Sequence, residues 1–426
     1  MFNTIGTRMI SAVLSLGIWI LNANILGAEK VGTISLMIFS VSIIQLVTNF
    51  ISGAALIYYT PRIGVAKLMA PAYTLTPLLT LLSCYFLQFT GNLFPVARII
   101  PLGYFYEVMA LSLVMSLTSA NFMFLLGLEK VNKFNMINLL QIVVLALLLL
   151  VWFFLFRHVE VESYFWAMFL SYSLALLLSS LPLVSELKNI SFNLKLDLLR
   201  DILRFGTFVQ FANIFQIMNY RLSLKFVDMF LSRSAVGVLT IGAQLAEGLW
   251  LISRSIGTVQ YSRLSNAMDD RYSVRLTLTL AKISMIITTL AMATLLAIPL
   301  KVFLTIFPPS FSEIKLVIAS LSVGIIMLSV SIIFSGFYSA VNRPYHNTIS
   351  SAIGLIFTVV CGLYLIPRYG IAGAGLTASI SYSVITFYQA VVFLRMPEVS
   401  VKDFLLTRAE LSRFFHEMMK LAKNRG

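Results

Sequence analysis

Val236-Gly-Val-Leu-Thr-Ile-Gly-Ala-Gln-Leu-Ala-Glu-Gly-Leu-Trp-Leu-Ile-Ser-Arg-Ser-Ile-Gly-Thr258 is apolar enough to enter a membrane. Yet Thr240, Gln244, Glu247, Arg254 and Thr258 recur through it at steps of three, four or seven. Those steps keep residues on one face of a helix. Polar groups in hydrocarbon are tolerated only against other protein or a watery cavity. Three further stretches carry the pattern: Thr4, Arg8, Ser11, Ser15 and Asn22; Ser35, Ser42, Gln45, Asn49 and Ser52; and Gln210, Asn213, Gln216 and Tyr220/Arg221. The four fall as consecutive pairs, one pair opening each half of the chain. One hydrophilic path through a membrane accounts for all four, and such a path belongs to a transporter.

The rest of the composition agrees. Of 426 residues, 59% are hydrophobic and 11% charged, against about 25% charged in soluble proteins. A helix needs roughly 20 apolar residues to cross. Candidate spans lie near 4–26, 31–58, 71–92, 104–126, 134–156, 162–184, 203–226, 236–259, 280–303, 316–340, 346–366 and 371–394. The expected fold is therefore all-α and integral to the membrane, with about twelve transmembrane helices and no sizeable soluble domain. The first span is not expected to be a cleaved leader, because Asn22 and Asn24 interrupt its apolar core.

A net charge of +14 invites a nucleic-acid partner, but its placement speaks for topology instead. Lys and Arg crowd the loops on the side that holds both termini, notably Lys188, Lys195, Arg200 and Arg204, then Arg263, Arg271, Arg275 and Lys282. By the positive-inside rule both termini are cytoplasmic, and no nucleic-acid partner is expected.

A weak internal repeat divides the chain. An offset of 205 places Val31-Gly32 on Val236-Gly237, Ser35 on Thr240, Ser42 on Glu247 and Asn49 on Arg254. An offset of 213 places Gly127-Leu-Glu-Lys130 on Ala340-Val-Asn-Arg343. Six spans per half preserve orientation, so the halves form a parallel, pseudo-symmetric pair of six-helix bundles. The domains read as 1–190, 191–396 and a tail, 397–426. In that tail Phe404, Leu405, Leu411, Phe414, Phe415, Met418 and Leu421 keep helical spacing among Lys402, Arg408, Arg413, Lys420 and Lys423. The pattern suits a basic amphipathic helix on anionic membrane lipids.

Enzyme chemistry is hard to find. His158, His346 and His416 are not spaced as metal ligands. Cys84 and Cys361 lie in separate spans and suggest no disulfide. No GxxxxGK[ST] loop occurs. The glycines of Gly370-Ile-Ala-Gly-Ala-Gly375 suit close helix packing better than a phosphate cradle. No catalytic residue, metal site or cofactor is expected.

The intramembrane charges are the informative residues. Glu247 falls mid-span, Arg254 two turns on along the same face, Arg221 and Lys225 toward the outer end of span 7, and Arg8 near the inner end of span 1. The candidate translocation set is Arg8, Asn22, Gln45, Asn49, Gln210, Asn213, Arg221, Lys225, Gln244 and Arg254, with Glu247 as a candidate proton or ion-coupling residue. The amides among them could equally join helices by hydrogen bonds, and Arg254 could simply neutralise Glu247.

Leu26-Gly-Ala-Glu-Lys-Val-Gly32 resembles the first outer turn of polysaccharide exporters of the multidrug/oligosaccharidyl-lipid/polysaccharide (MOP) superfamily. Asn219-Tyr-Arg-Leu222 with Leu231-Ser-Arg-Ser-Ala-Val-Gly237 is similar to that family's segment joining spans 7 and 8, and Ile366-Pro-Arg-Tyr-Gly-Ile-Ala-Gly373 to its turn before the last helix. The resemblance runs over nearly the whole chain. It implies a MATE-like V of two bundles, with spans 1, 2, 7 and 8 lining the cavity. It also implies a bacterial inner-membrane flippase that moves an undecaprenyl-diphosphate-linked glycan, an O-antigen or capsule repeat unit, to the periplasmic leaflet. A glycan polymerase and chain-length proteins would be its partners, and H+ or Na+ its coupling ion. Span 1 departs from the drug-exporting relatives in lacking a carboxylate. The alternatives are an ion-coupled multidrug exporter of the same fold, or a membrane glycan polymerase.

Overall fold

The computed structural model describes residues 2–95, 98–184, 186, 196–264, 270–396 and 399–404. Among these the chain is helical, with no strand. The helices are α1 (Phe2–Ser52), α2 (Ala54–Ile63), α3 (Val65–Leu93), α4 (Phe105–Gly127), α5 (Val131–Leu150), α6 (Val161–Val184) and α7 (Leu196–Phe230). They continue as α8 (Arg233–Glu247), α9 (Trp250–Leu264), α10 (Asp270–Ala297), α11 (Leu300–Ile306), α12 (Ile314–Ala340) and α13 (Tyr345–Phe393). The amphipathic tail and His416 lie outside the described residues.

Two helices are too long for one crossing. α1 has 51 residues and α13 has 49, about 75 Å of helix each against a hydrocarbon core of about 30 Å. Each is broken at one glycine: Gly27 (φ 76°, ψ 174°) and Gly370 (φ 58°, ψ −138°). A positive φ with extended ψ is open essentially to glycine alone. The breaks fall in the two turns picked out by the sequence, Leu26–Gly32 and Ile366–Gly373. Among the described residues the twelve spans are then 2–26, 28–52, α3, α4, α5, α6, α7, α8 with α9, α10, α12, 345–369 and 371–393.

Hydropathy alone finds eight long apolar helices among the described residues, or nine with α8 and α9 taken together. The two double-length helices account for part of the shortfall. Span 7 accounts for the rest, because its polar stripe and charges make it too hydrophilic for such a test. Several boundaries differ from those read in the sequence. Span 2 stops at Ser52, bends at Gly53 and continues as α2 rather than running straight to residue 58. Span 9 ends at Ala297 instead of 303. Pro299 follows, and a proline inside a helix removes a backbone donor and clashes with the preceding turn.

The chain forms two compact units, residues 1–241 with 301–314, and residues 242–300 with 315 onward. In the first, Leu56, Leu68, Phe124, Leu125, Ile137 and Leu183 share a buried core. In the second, Ile333, Phe334, Phe337, Tyr338 and Phe393 do so, with the Phe404 ring 6.1 Å from that of Phe334. The repeat read in the sequence divides the chain at 190, whereas compactness groups α7 and the start of α8 with the first unit.

The repeat is written in the backbone. Glu129 and Asn342, 213 residues apart, both adopt φ 58°. Around them Leu128 N donates to Phe124 O (2.9 Å) and Lys130 N to Leu125 O (2.8 Å). Val341 N donates to Phe337 O (3.0 Å) and Arg343 N to Tyr338 O (2.8 Å), the same pattern 213 positions later. This is a left-handed helix C-cap that satisfies the last carbonyls of the helix. Arg157 (φ 53°) and Gly370 (φ 58°) are also 213 apart.

The glycines after Gly370 pack helices. Gly375 lies against Ser320, and a Cβ on Gly324 would come 2.5 Å from Ser379 Cα. Spans 10 and 12 are also joined by bonds from Gly324 N to Ser379 Oγ (3.1 Å) and from Ser379 Oγ to Ser320 O (2.7 Å).

Candidate translocation residues along spans 1, 2, 7 and 8

In the first unit, span 2 meets spans 7 and 8. At the start of span 2, a Cβ on Gly32 would overlap the carbonyl oxygen of Arg233 and lie 3.1 Å from Gly237 N. A Cβ on Gly237 would overlap the carbonyl oxygen of Ala28 and lie 3.1 Å from Gly32 N. The contacts are reciprocal at an offset of 205: residue 32 meets 233, and residue 237 meets 28. That is the signature of a two-fold crossing, here built from the two copies of the Val-Gly pair. Further along span 2, Gln210 Nε2 donates to Leu46 O at 2.9 Å, and the Phe50 and Phe211 rings meet edge to face at 6.5 Å.

The amides divide by role. Gln210 is buried and binds backbone, and it accepts from Asn213 Nδ2 at 3.3 Å. These two are structural in the arrangement seen here. Asn22 differs: it is 0% exposed, and neither Nδ2 nor Oδ1 has a partner among the described residues. An unmet buried polar group costs about 1–3 kcal/mol. Gln45, Asn49 and Gln244 are half-buried. Ser42, also half-buried, returns its hydroxyl to Ile38 O at 2.8 Å, an ordinary bond within a helix. Arg8 lies on α1, and its side chain is outside the described set.

The charges have partners that the stripe did not name. Lys225 Nζ lies 3.6 Å from Asp228 Oδ2, both half-buried, and Arg98, from the segment before α4, adds its positive charge nearby. Arg221 is half-buried. Arg98 escaped the sequence reading because it lies outside the polar stripes, and Asp228, seven residues beyond Arg221, because it falls past the end of the span read as 203–226.

In the second unit the expected geometry changes. Span 8 is not one straight helix: α8 ends at Glu247, α9 begins at Trp250, and the two are bent by 44°. A seven-residue step keeps residues on one face only in a continuous helix, so the expected alignment of Arg254 with Glu247 is lost. Arg254 is exposed, and its guanidinium carbon lies 5.9 Å from the centre of the Trp250 ring. Trp250 is buried and meets Tyr382 edge to face at 5.8 Å. Glu247 is half-buried. Among the described residues no group of three or more His, Cys, Asp or Glu side chains could hold a metal ion.

No known family profile matches this chain. An uncharacterized membrane protein of Methanocaldococcus jannaschii is 26% identical over 138 residues, which are 32% of this chain and 27% of that relative's length. Solved structures match over nearly the whole chain. The inward closed conformation of the lipid II flippase MurJ superposes with a TM-score of 0.77 at 16% identity, covering 95% of this chain and 89% of that one. An inward-facing multidrug resistance transporter of the MATE family, within the MOP superfamily, gives 0.68 at 14% identity, covering 90% and 93%. A MOP superfamily transporter from Pyrococcus furiosus gives 0.59 at 13% identity, covering 92% and 93%. At these identities the likeness is one of fold. The chain is a multi-pass membrane protein with the all-helical fold of MOP-superfamily transporters.

Proposed function

We propose that this chain is a flippase for a lipid-linked oligosaccharide, moving an undecaprenyl-diphosphate-linked glycan such as an O-antigen or capsule repeat unit across a bacterial inner membrane. In this reading both termini are cytoplasmic and the halves are two six-helix bundles that alternate access. The sugar–diphosphate head follows the polar faces of spans 1, 2, 7 and 8 while the prenyl tail stays in lipid. The observation that carries the reading is charge. On those four spans the cations Arg8, Lys30, Arg200, Arg204, Arg221, Lys225, Arg233, Arg254 and Arg263 outnumber the acids Glu29, Asp197, Asp201, Asp228 and Glu247, and span 1 carries no carboxylate. A cationic path suits a diphosphate and repels cationic drugs. The fold shared with a lipid II flippase supports the same substrate class.

Asn22 fits this role, since its amide has no hydrogen-bond partner among the described residues and is available when the path opens. Arg221 and Arg254 are the phosphate contacts, because a guanidinium grips phosphate through two parallel hydrogen bonds. The test is transport of a fluorescent undecaprenyl-diphosphate oligosaccharide in vesicles reconstituted with the protein. Arg221→Lys should keep part of the activity and Arg221→Gln should lose about tenfold or more, as expected when a charge-assisted contact of 1.5–3 kcal/mol is removed. Normal flipping by Arg221→Gln and Arg254→Gln, with export of a cationic dye by the parent protein, would replace this reading with the multidrug exporter.

A further inference from the structure

Between spans 9 and 10 the chain changes partners. It leaves the second unit at Leu300, joins the first as residues 301–314, and re-enters the second at Lys315. This excursion lies on the side of the fold opposite the N-terminus, since an odd number of spans precedes it, and so does the Gly27 turn. Its helix, α11, is stopped by Pro308 and Pro309, which have no N–H to give the turn before them. Carbonyls at the end of α11 are thereby left to outside donors, and span 1 supplies one. Asn24 Nδ2 donates to Ile306 O at 2.7 Å and to Ile20 O of its own helix at 2.9 Å. Phe303, Phe307 and Phe311, at four-residue steps, are 4%, 3% and 0% exposed. The Phe307 and Phe311 rings lie 5.8 Å apart, and the turn at 309–311 rests against α1.

The repeat does not require this seating. Phe94-Pro95 precedes Phe307-Pro308 by 213 residues, yet Phe94 is 64% exposed where Phe307 is 3%. The first-half loop is held instead through Ile99 O, which accepts from Ser40 Oγ of span 2 at 2.8 Å. Nor does the excursion carry slack at its root. Span 9 ends at Ala297 and span 10 begins at Ile314, and Lys315 Nζ donates to Ile298 O at 3.0 Å across the base. A base closed in this way moves with spans 9 and 10, so any separation of those spans from span 1 has to lift the segment. Its hold is reversible in kind. Asn24 and Ile306 are both exposed, so water takes over their bond when the segment lifts, and the buried rings are what resists.

We propose that residues 301–314 are a latch on span 1, rooted at both ends in the second unit, that must lift before the transport path opens on the side opposite the N-terminus. Asn24 is its catch, and Phe303, Phe307 and Phe311 are its seat. The effect on glycan movement rests on the transport reading above, but the latch itself does not.

Spin labels test it without a substrate. In the full-length protein with Cys84→Ser and Cys361→Ser, nitroxides are attached at Tyr106→Cys and Tyr369→Cys, exposed positions on that side in the first and second units. Their separation is read by double electron–electron resonance. The ratio of long to short distances should rise about tenfold or more in Phe307→Ala and roughly two- to tenfold in Asn24→Ala. Phe94→Ala, at the exposed counterpart, should leave it unchanged. If Phe307→Ala does not fold, the exposed Asn24→Ala carries the test. Distances unchanged in every folded latch variant overturn the proposal. Asn24→Cys with Ile306→Cys is then bridged by a short bis-methanethiosulfonate. The bridged protein should stop flipping the diphosphate-linked glycan and regain it on reduction, whereas a bridge between Ile298→Cys and Lys315→Cys, across the base, should not stop it. Failure of the first pair to bridge, or flipping undiminished by that bridge, overturns the latch. Distances that shift as expected in a protein that never moves the glycan uphold the latch and remove only the substrate reading.

Discussion

Span 2 and span 8 leave the same crossing, Gly32 against Gly237, and then behave differently. Span 2 runs as helix to Ser52 before bending at Gly53, whereas α8 stops after 15 residues at Glu247. The contact at the start is set by the repeat and is reciprocal between its copies. The divergence lies where the repeat places Ser42 in one half and Glu247 in the other. A hydroxyl can return its hydrogen bond to the preceding turn of its own helix, and Ser42 does so. A carboxylate cannot donate to a carbonyl, and it lies beside a glycine that weakens the helix. Shared architecture thus resides in the glycine crossing, and the two copies part at the residues that let one of them break.

The largest expected effect strikes the shared part. Gly32→Val and Gly237→Val would each drive a side chain into backbone, at Arg233 and Ala28 respectively, where no rotamer change gives relief. Overpacking costs about 1–3 kcal/mol, and backbone collisions belong at the upper end or beyond. Both variants should lose most folded protein, measured as the monodisperse fraction after detergent extraction. A tolerated Gly237→Val beside a disabled Gly32→Val would mean that the crossing is not reciprocal. Next in size is Gly27→Ala, about 1–3 kcal/mol from its φ of 76°, read as a fall in the temperature of half-aggregation.

The two halves also build comparable polar hubs with their parts exchanged. In the first, the amide of Asn121 on span 4 bonds Tyr73 and donates to Ser179 and Ser180 of span 6, each at 3.0 Å. In the second, the amide is on span 12. Gln389 accepts from Ser331 Oγ at 2.7 Å and donates to Ser335 Oγ at 3.0 Å, both on span 10, and also reaches Asn347 and Ser350. The 213 offset carries Asn121 to position 334, between those two serines. Hydrogen bonds between membrane helices are worth about 0.6 kcal/mol on average and up to about 1.7. Gln389→Leu should therefore cost about 1–2 kcal/mol, and Asn121→Leu no more than that. Thermal unfolding of each single variant checks the order. A larger loss at Asn121 would show that the hubs are not equivalent in load.

Much of the fold was legible because apolar runs of spanning length and loop charge carry most of its information. The turns at Gly27 and Gly370 and the left-handed caps lay within stretches that the sequence had already singled out. The break at Gly248 did not show, because a stripe in register from Thr240 to Thr258 reads as one helix, and a lone glycine lowers helix preference by only about 1 kcal/mol. The hubs were hidden for a related reason, since Asn121 and Gln389 are single amides in apolar runs without periodic partners. Along the candidate path, spacing located Gln210 and Asn22 but could not tell them apart. One binds a backbone carbonyl and the other has no partner among the described residues, and that difference depends on which helix lies opposite.

The smallest expected effect tests the repeat where it is most alike. Glu129 and Asn342 share φ 58° and the same hydrogen-bond pattern, and both side chains are exposed, so neither position is complicated by buried contacts. A left-handed conformation costs an ordinary L residue about 1–2 kcal/mol, and asparagine less because its short amide bonds locally. Glycine removes that strain but loses about 0.5–1 kcal/mol through the freedom it gains in the unfolded chain. Glu129→Gly should therefore raise stability by roughly 0.5 kcal/mol, whereas Asn342→Gly should change it little. The reverse exchange, Asn342→Glu, should lower stability by about 1 kcal/mol, giving the second half the strain already present in the first. Melting temperatures of the three variants in one detergent decide the matter. If Glu129→Gly is destabilising, the Glu129 side chain contributes something the cap geometry does not show, and the two turns are alike in backbone only.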